Sequence, residues 1–258
     1  MDYKNIICEE MEEIAFVTLN RPEKRNALSL DLLRELSTCL RKVGQERKVK
    51  VVIIRGGRDD FCAGHDLNEI LNKGLDDIRN LFQTCLDLMA LIHRTPQPVI
   101  AQVRGIATAA GCQLVAACDL AVAEEGARFA TPGVKIGLFC STPMVPLSRA
   151  VGRKKAFEIL LTGEFISAQE AKEYGLVNRV IPKERLEEET RVLAKDIAQY
   201  SLNILNLGKQ AFYQQIEMAE MQAYQYAKEV ISANALMPDA LEGMSSFLNR
   251  HSPVLTEK

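Results

Sequence analysis

Two glycine-containing loops constrain this chain more than any other feature of its sequence. One is Phe61-Cys-Ala-Gly-His-Asp-Leu67 and the other is Gly105-Ile-Ala-Thr-Ala-Ala-Gly-Cys-Gln-Leu114. Each follows a short apolar run, Val51–Ile54 and Pro98–Val103, with the length and character of a buried strand. Gly64 and Gly111 permit tight strand-to-helix connections. Each loop can also turn a backbone N–H toward one carbonyl oxygen, an arrangement suited to stabilising developing negative charge. Plain turn chemistry is the competing reading of the same residues. Gln113, Gly133 and the stretch Phe139-Cys-Ser-Thr142 contain no carboxylate. The loops are suited to polarising a carbonyl, but the usual acid and base are missing beside them.

Periodicity extends this strand–loop–helix unit along the chain. Ile14–Leu19 reads as a strand. Ser29 is placed to cap a helix through about Val43, whose apolar positions Leu32, Leu33, Leu36 and Leu40 recur at helical spacing. Val49–Arg55 reads as a buried strand ended by Gly56-Gly57, and residues 66–94 as mostly helical with a break near Lys73-Gly74. Pro96 and Pro98 introduce a strand over Val99–Val103. A helix follows over Ala109–Ala117 and a strand over Leu120–Ala123. From Glu184 onward the pattern is helical: Leu186–Gln199, a long stretch Asn203–Ala233, and Ala240–Asn249. The expected breaks are Tyr200-Ser201 and Met237-Pro238-Asp239. The alternation argues for an α/β layered core, but its spacing is too irregular to specify a doubly wound sheet. No internal repeat is visible.

At 258 residues with 47% hydrophobic and 26% charged residues, the chain is long enough to bury a full core. The net charge of -2 and the lack of a long basic run argue against a general nucleic-acid or anionic-membrane surface. Residues 34–50 hold six basic side chains, but Glu35 and Glu46 interrupt them, unlike the Lys-rich helix an RNA-binding reading would need. Seven cysteines, odd in number and without a Cys-x-x-Cys pair, point to free thiols in a reducing compartment. Three histidines without ligand spacing argue against a zinc site. The acidic start, Met1-Asp-Tyr-Lys-Asn-Ile-Ile-Cys-Glu-Glu10, reads as neither a signal peptide nor a transit peptide. The expectation is a cytoplasmic protein or a mature mitochondrial form without its leader.

An ordered set of landmarks narrows the reading further. It runs Leu19-Asn-Arg-Pro-Glu-Lys-Arg-Asn-Ala-Leu28, Phe61-Cys-Ala-Gly-His-Asp66, Pro98-Val-Ile-Ala-Gln-Val-Arg-Gly105, Ala110-Gly-Cys-Gln-Leu114 with Ala117-Cys-Asp-Leu120, Phe129-Ala-Thr-Pro132, Leu161-Thr-Gly163, Ile166-Ser-Ala-Gln-Glu-Ala171 and Gly175-Leu-Val-Asn-Arg-Val180. This set, from about Ile14 to Phe247, resembles the crotonase (enoyl-CoA hydratase/isomerase) family. Within it the chain is most similar to the branch called enoyl-CoA hydratase domain-containing, which shares Gly137-Leu-Phe-Cys-Ser-Thr142. The resemblance implies an α/β fold with a spiral core of repeated ββα units and a C-terminal helical layer. It implies an acyl-CoA-binding core over residues 1–195 and a trimerisation region over 196–258, assembling as a homotrimer or a dimer of trimers.

The resemblance also implies roles by position. The backbone N–H groups of His65 and Ala110 would form the oxyanion hole, with Gly111 at the helix start beside it. Lys24, Arg25, Ala27, Ala63, Asp66, Leu67 and Arg250 would hold coenzyme A, which enters as a thioester substrate or ligand. No permanently bound cofactor and no metal are expected. The hydratase pattern puts glutamates where Gln113 and Gly133 stand here, so two-glutamate hydration is not expected and isomerase chemistry is disfavoured. The Ala63-Gly-His-Asp66 variant is shared with methylmalonyl-CoA decarboxylases. Gln113, Cys140 and the His65 imidazole are the remaining candidates for orienting a substrate. Packing is the competing role for Cys140, helix capping for Asp66 and His93, and strand tethering for Asp119. Two readings stay open: a non-hydratase acyl-CoA enzyme, such as a decarboxylase, thioesterase or other lyase, and a binding module that has lost its chemistry.

Overall fold

The computed structural model describes residues 3–250. Met1, Asp2 and residues 251–258, the outer ends of the two regions drawn from the sequence, lie outside the described residues. In chain order the strands are β1 (Ile6–Met11), β2 (Ile14–Leu19), β3 (Val51–Gly56), β4 (Val99–Val103), β5 (Ile106–Thr108), β6 (Leu120–Glu124), β7 (Arg128–Ala130), β8 (Ile166–Ser167) and β9 (Arg179–Ile181). Helices α1 (Leu30–Gln45), α2 (Leu75–Arg94), α3 (Ala110–Ala117), α4 (Met144–Ala150), α5 (Arg153–Thr162) and α6 (Ala168–Glu173) are interleaved with them. Helices α7 (Leu186–Ala198), α8 (Leu202–Gln215), α9 (Glu220–Asn234) and α10 (Pro238–Asn249) then complete the chain.

Six strands form one sheet in the order β1-β2-β3-β4-β6-β9, and β5-β7-β8 form a second. In successive units one strand joins the large sheet, the next joins the small one, and a helix follows: β4-β5-α3, then β6-β7-α4. The unit before them is abbreviated: β3 enters the large sheet, Cys62 bridges to Ala107, and α2 follows. Like strands lie side by side, so the chain advances as a spiral of ββα turns. The repeat lives in topology, and its loops differ in length, which hides it from the sequence.

The strand sequences follow from burial on both faces. Val52 and Ile54 of β3 enter a core with α1, α2 and α3, while Val51 and Ile53 enter a second core with Leu186, Ala194 and Ala198 of α7. A parallel sheet covered on both sides reads as a continuous apolar run, which is why Val51–Ile54 lacks alternation. Ser29 caps α1, its side chain accepting from the Leu32 N–H at 3.2 Å. Two sequence expectations are corrected. The single long helix over Asn203–Ala233 is two helices, α8 and α9, separated at residues 216–219. The apolar positions continue across that break, so periodicity alone could not locate it. Strand β1, the short strands β5 and β7 to β9, and the helices α4 to α6 were not expected. They are brief, and their pairing partners are distant in sequence.

Helix α8 is latched to the core by a buried ion pair. Lys209 Nζ lies 2.7 Å from Asp119 Oδ2 and donates to the Ile92 and Gln97 carbonyls at 2.7 and 2.9 Å. Asp119 also accepts from the Val99 N–H at 2.6 Å and from the Tyr213 hydroxyl at 2.8 Å, and Tyr213 stacks on His93 at 3.9 Å. Asp119 thus tethers a strand, as expected, and also anchors the helical layer. Burial pulls the Lys209 pKa down, against the Asp119 carboxylate that raises it. Removing one member of such a pair leaves an uncompensated buried charge, at about 3–5 kcal/mol. Lys209→Ala is therefore expected to lower Tm by more than about 6 °C, measured by thermal unfolding followed by circular dichroism.

Candidate functional site

The two glycine loops meet backbone to backbone. Beyond β3 the chain runs beside β5: the Phe61 N–H donates to the Arg104 carbonyl at 2.8 Å, Cys62 N–H to Ile106 at 3.1 Å, and Thr108 N–H to Cys62 at 2.9 Å. The first turn of α3 sits directly against this segment. A Cβ on Gly111 would stand 2.1 Å from the Cys62 carbonyl oxygen. Gly64 has φ +100°, and a Cβ there would stand 2.9 Å from Ala109 Cβ and 3.3 Å from Ala110 N. Only glycine meets both the conformation and the spacing. Ala109, the residue before α3, has φ 50° and ψ −117°, a strained geometry for a residue with a side chain, at about 1–3 kcal/mol. Bonds from the Ala109 N–H to the Ala130 carbonyl (2.9 Å) and from the Gln113 N–H to the Ala109 carbonyl (3.0 Å) hold it there.

Two backbone donors emerge from this contact without partners. Leu28 pairs with the chain on either side of His65: its N–H donates to the Gly64 carbonyl at 2.7 Å, and its carbonyl accepts from the Asp66 N–H at 3.1 Å. Backbone groups alternate sides along an extended strand, so the His65 N–H faces away from Leu28. Ala110 is the first residue of α3, and its N–H has no intrahelical acceptor. Among the described residues neither N–H donates to the protein. Unpaired buried N–H groups are rare, and Ala110 is fully buried. The helix N-terminus adds partial positive charge beside them.

Three uncharged side chains, His65, Gln113 and Cys140, are the sequence-derived candidates for orienting a substrate. The His65 ring stands edge-on to Phe82 at 5.0 Å, and its buried Nε2 has no partner. Burial holds its pKa down at about 4. Gln113 is buried with Oε1 unpartnered, and it lines a cavity of about 640 Å³ with the apolar Met89, Val145 and Phe212 and the charged Asp119, Arg149 and Glu217. Cys140 is buried. Burial pushes its thiol pKa up, against a backbone hydrogen bond with Gly133, and that direction favours packing over nucleophilic reactivity. Its Sγ and the Leu138 carbonyl would each lie 2.9 Å from a Cβ on Gly133. The segment 138–140 therefore occupies the space that a side chain at 133 would need.

The basic loop is ordered by a residue that the sequence reading passed over. Arg21 Nη2 pairs with Asp66 at 2.9 Å, and Nη1 donates to the Ala27 carbonyl at 2.7 Å. Asn26, fully buried, accepts from the Arg21 N–H and donates to the Gly57 and Asp60 carbonyls. The Asp66 carboxylate is engaged by Arg21 and by Asn68, whose N–H it caps. Burial would raise its pKa, but these bonds outweigh it and the pKa is lowered. Asp66 is thus a capping and bracing group. Lys24 and Arg25 are solvent-exposed on the same loop as Ala27, and Ala63 ties to it through its N–H to the Arg25 carbonyl at 2.9 Å. Arg25 makes only a 3.6 Å pair with Asp60. Leu67 is half exposed. Arg250 caps the end of α10, and among the described residues no bond joins it to this loop.

Comparison with known proteins agrees with the architecture. The model of the family described as enoyl-CoA hydratase/isomerase matches residues 9–258. The chain is 46% identical over 246 residues to the enoyl-CoA hydratase domain-containing protein 3, mitochondrial, of Rattus norvegicus, covering 95% of this chain and 82% of the rat protein. The crystal structure of the human enoyl Coenzyme A hydratase domain-containing protein 3 superposes with a TM-score of 0.96 at 44% identity, covering 98% of this chain and all of that one. A Mycobacterium smegmatis structure described as an enoyl-CoA hydratase gives 0.95 at 45% identity, covering 97% and 98%.

The buried imidazole carries a pH signature. With its folded-state pKa near 4 and an unfolded value of about 6.5, His65 takes up a proton in the unfolded chain first. Stability is full above pH 6.5 and falls as pH drops toward 4. From pH 7 to pH 5 the loss is roughly 2 kcal/mol. A His65→Gln variant is expected to lack this component, compared by denaturant titration at both pH values. NMR is expected to show a neutral His65 ring at pH 5.

Proposed function

This chain belongs to the enoyl-CoA hydratase/isomerase family, and on that premise we propose that it is an acyl-CoA enzyme of non-hydratase type: a decarboxylase, a thioesterase or another lyase. The observation that carries this reading is the pair of unpartnered N–H groups of His65 and Ala110 at the contact of the two loops. A thioester oxygen seated there would meet two fixed donors at a helix start, and one such donor contributes about 3–4 kcal/mol where measured. Loss of CO2 from a malonyl-type thioester leaves its electron pair as an enolate, and the negative charge falls on that oxygen. No titrating glutamate is needed before the bond breaks. The neutral His65 and Gln113 side chains would orient the acyl group, and Cys140 would border it.

The substrate handle in this reading is coenzyme A. Lys24 and Arg25 would face its phosphates, with Ala27, Ala63, Leu67 and Gly111 along it and Arg250 adding charge from this or an adjacent subunit. The chain would act in fatty acyl thioester metabolism with no resident cofactor. The helical region over 196–258 would assemble a homotrimer or dimer of trimers. Phe247, Leu248 and Leu236 there are 83%, 78% and 76% exposed, apolar side chains that a neighbouring subunit would cover. Seven free thiols fit a reducing compartment, either the cytoplasm or, as the name of the rat relative has it, the mitochondrion. No described helix is long and apolar enough to cross a membrane.

Turnover of a panel with malonyl-, methylmalonyl- and crotonyl-CoA tests the reading. Crotonyl-CoA hydration is expected to be negligible, because losing one acid–base group costs about 10²–10⁴-fold and Gln113 and Gly133 replace two. Hydration near a typical kcat of about 10 s⁻¹ would overturn the reading. Gly133→Glu combined with Gln113→Glu is expected not to create a hydratase, because the 138–140 segment fills the space beside 133. His65→Ala keeps the N–H and removes the imidazole, so retained turnover would assign His65 to its backbone alone. Tight acyl-CoA binding with no turnover of any thioester would favour a binding module.

Coenzyme A affinity is expected to fall in Lys24→Ala and Arg25→Ala by roughly 1–3 kcal/mol each through lost charge-assisted contacts. Titration calorimetry reads this directly. Unchanged affinity in both variants would return these residues to ordinary surface charge.

A further inference from the structure

Gln113 stands one turn along α3 from Ala110, the first residue of that helix. Residues three apart on a helix share a face, so the two are neighbours on one side of α3. Gln113 is 4% exposed, and among the described residues its side-chain amide makes no hydrogen bond. A primary amide carries two donors and an oxygen with two acceptor sites. Leaving such a group buried and unpaired costs about 1–3 kcal/mol, so its position points to an occupant that completes it. Beyond Gln113 the cavity of about 640 Å³ extends between α2, α3, α4 and α8. Ala116 and Ala117 keep its α3 wall low, and Met89, Val145 and Phe212 give the other helices apolar walls. The charges that border it are already paired, Asp119 with Lys209 at 2.7 Å and Arg149 with Glu217 at 3.2 Å. The volume is that of an ordinary ligand pocket, and the walls suit a neutral, mostly apolar chain.

We infer, on the acyl-thioester reading of the loops, that the acyl group is a hydroxyacyl chain: a hydroxyl on its second or third carbon bonds the Gln113 amide, and its apolar tail fills the four-helix cavity. A hydroxyl is the group that fits, because it donates and accepts at once. It therefore satisfies the amide whichever way the amide is turned. A thioester oxygen at the Ala110 N–H is three or four bonds from the oxygen of such a hydroxyl, a span that matches the single helical turn between Ala110 and Gln113. A plain chain of the same length leaves the amide unpaired. Sites built to hydrogen-bond a substrate hydroxyl reject the analogue that lacks it for this reason. Gln113 is then the residue that sets specificity for the acyl group, and the small side chains of Ala116 and Ala117 make room for its tail.

Titration calorimetry on the folded full-length protein tests this with coenzyme A, octanoyl-CoA, the 2- and 3-hydroxyoctanoyl thioesters and their hydroxybutyryl counterparts. One of the hydroxyoctanoyl thioesters is expected to bind at least about tenfold more tightly than octanoyl-CoA. Shortening it to the hydroxybutyryl thioester is expected to weaken binding by roughly fourfold per methylene removed. Gln113→Leu is expected to bring hydroxylated and plain chains to equal affinity while the dependence on length remains. Equal affinity of wild-type protein for hydroxylated and plain octanoyl-CoA, or an affinity that ignores chain length, overturns the inference and leaves acyl-CoA binding in place. Failure of coenzyme A and of every thioester to bind overturns the acyl-CoA reading beneath it. The wild-type titrations decide both without any variant having to fold.

Discussion

Gly111 stands so close to the Cys62 carbonyl that a single added methyl would sit 2.1 Å from oxygen. Everything at the candidate site depends on it. It brings the first turn of α3 against the segment that leaves β3, and it leaves no room for a side chain between them. Gly64 completes the contact from the other side, in a left-handed conformation. The result is that two N–H groups from loops about forty-five residues apart in sequence are fixed by backbone packing alone. Preorganised donors need no reorganisation when charge develops, and this is the physical basis of their effect. The strained Ala109 backbone belongs to the same junction, held by its bonds to Ala130 and Gln113.

Around this junction the electrostatics favour neutral chemistry. Burial holds the His65 imidazole uncharged at neutral pH, and the Gln113 amide does not titrate. The charges that do lie close are already committed: Arg21 to Asp66 and to the Ala27 carbonyl. Such bracing explains how an exposed basic loop keeps its shape while Lys24 and Arg25 remain solvent-facing. It also separates the roles of neighbouring residues of similar character, since Arg21 and Arg25 differ only in what they touch.

Large parts of this arrangement were legible in the sequence. The strands from Val51, Val99 and Leu120 and the helices α1, α3 and α7 follow from apolar periodicity, capping and glycine punctuation, which are local properties. Ser29 announces α1, and its side chain makes that bond. The helical C-terminal region was also apparent, although the break between α8 and α9 was not. Apolar positions continue through residues 216–219, and no proline or glycine marks the turn. Strand β1 was missed because only its pairing with β2, and not its composition, makes it a strand. Arg21 and Asn26 gave no signal, because their partners at Asp66, Gly57 and Asp60 are more than thirty residues away.

The sequence by itself determined the layered α/β class, the identity of the two loops and the absence of carboxylates at positions 113 and 133. These follow from residue type and near-neighbour spacing. Only the tertiary structure decided that the His65 and Ala110 donors lie unpaired beside one contact. It alone decided that Asp66 is spoken for and that Cys140 fills the space beside Gly133. Each of these depends on which distant backbone arrives at the same place, and a one-dimensional pattern carries no record of that. The same holds for Asp119, which looked like a local strand tether and in fact anchors α8 through Lys209, ninety residues further along the chain.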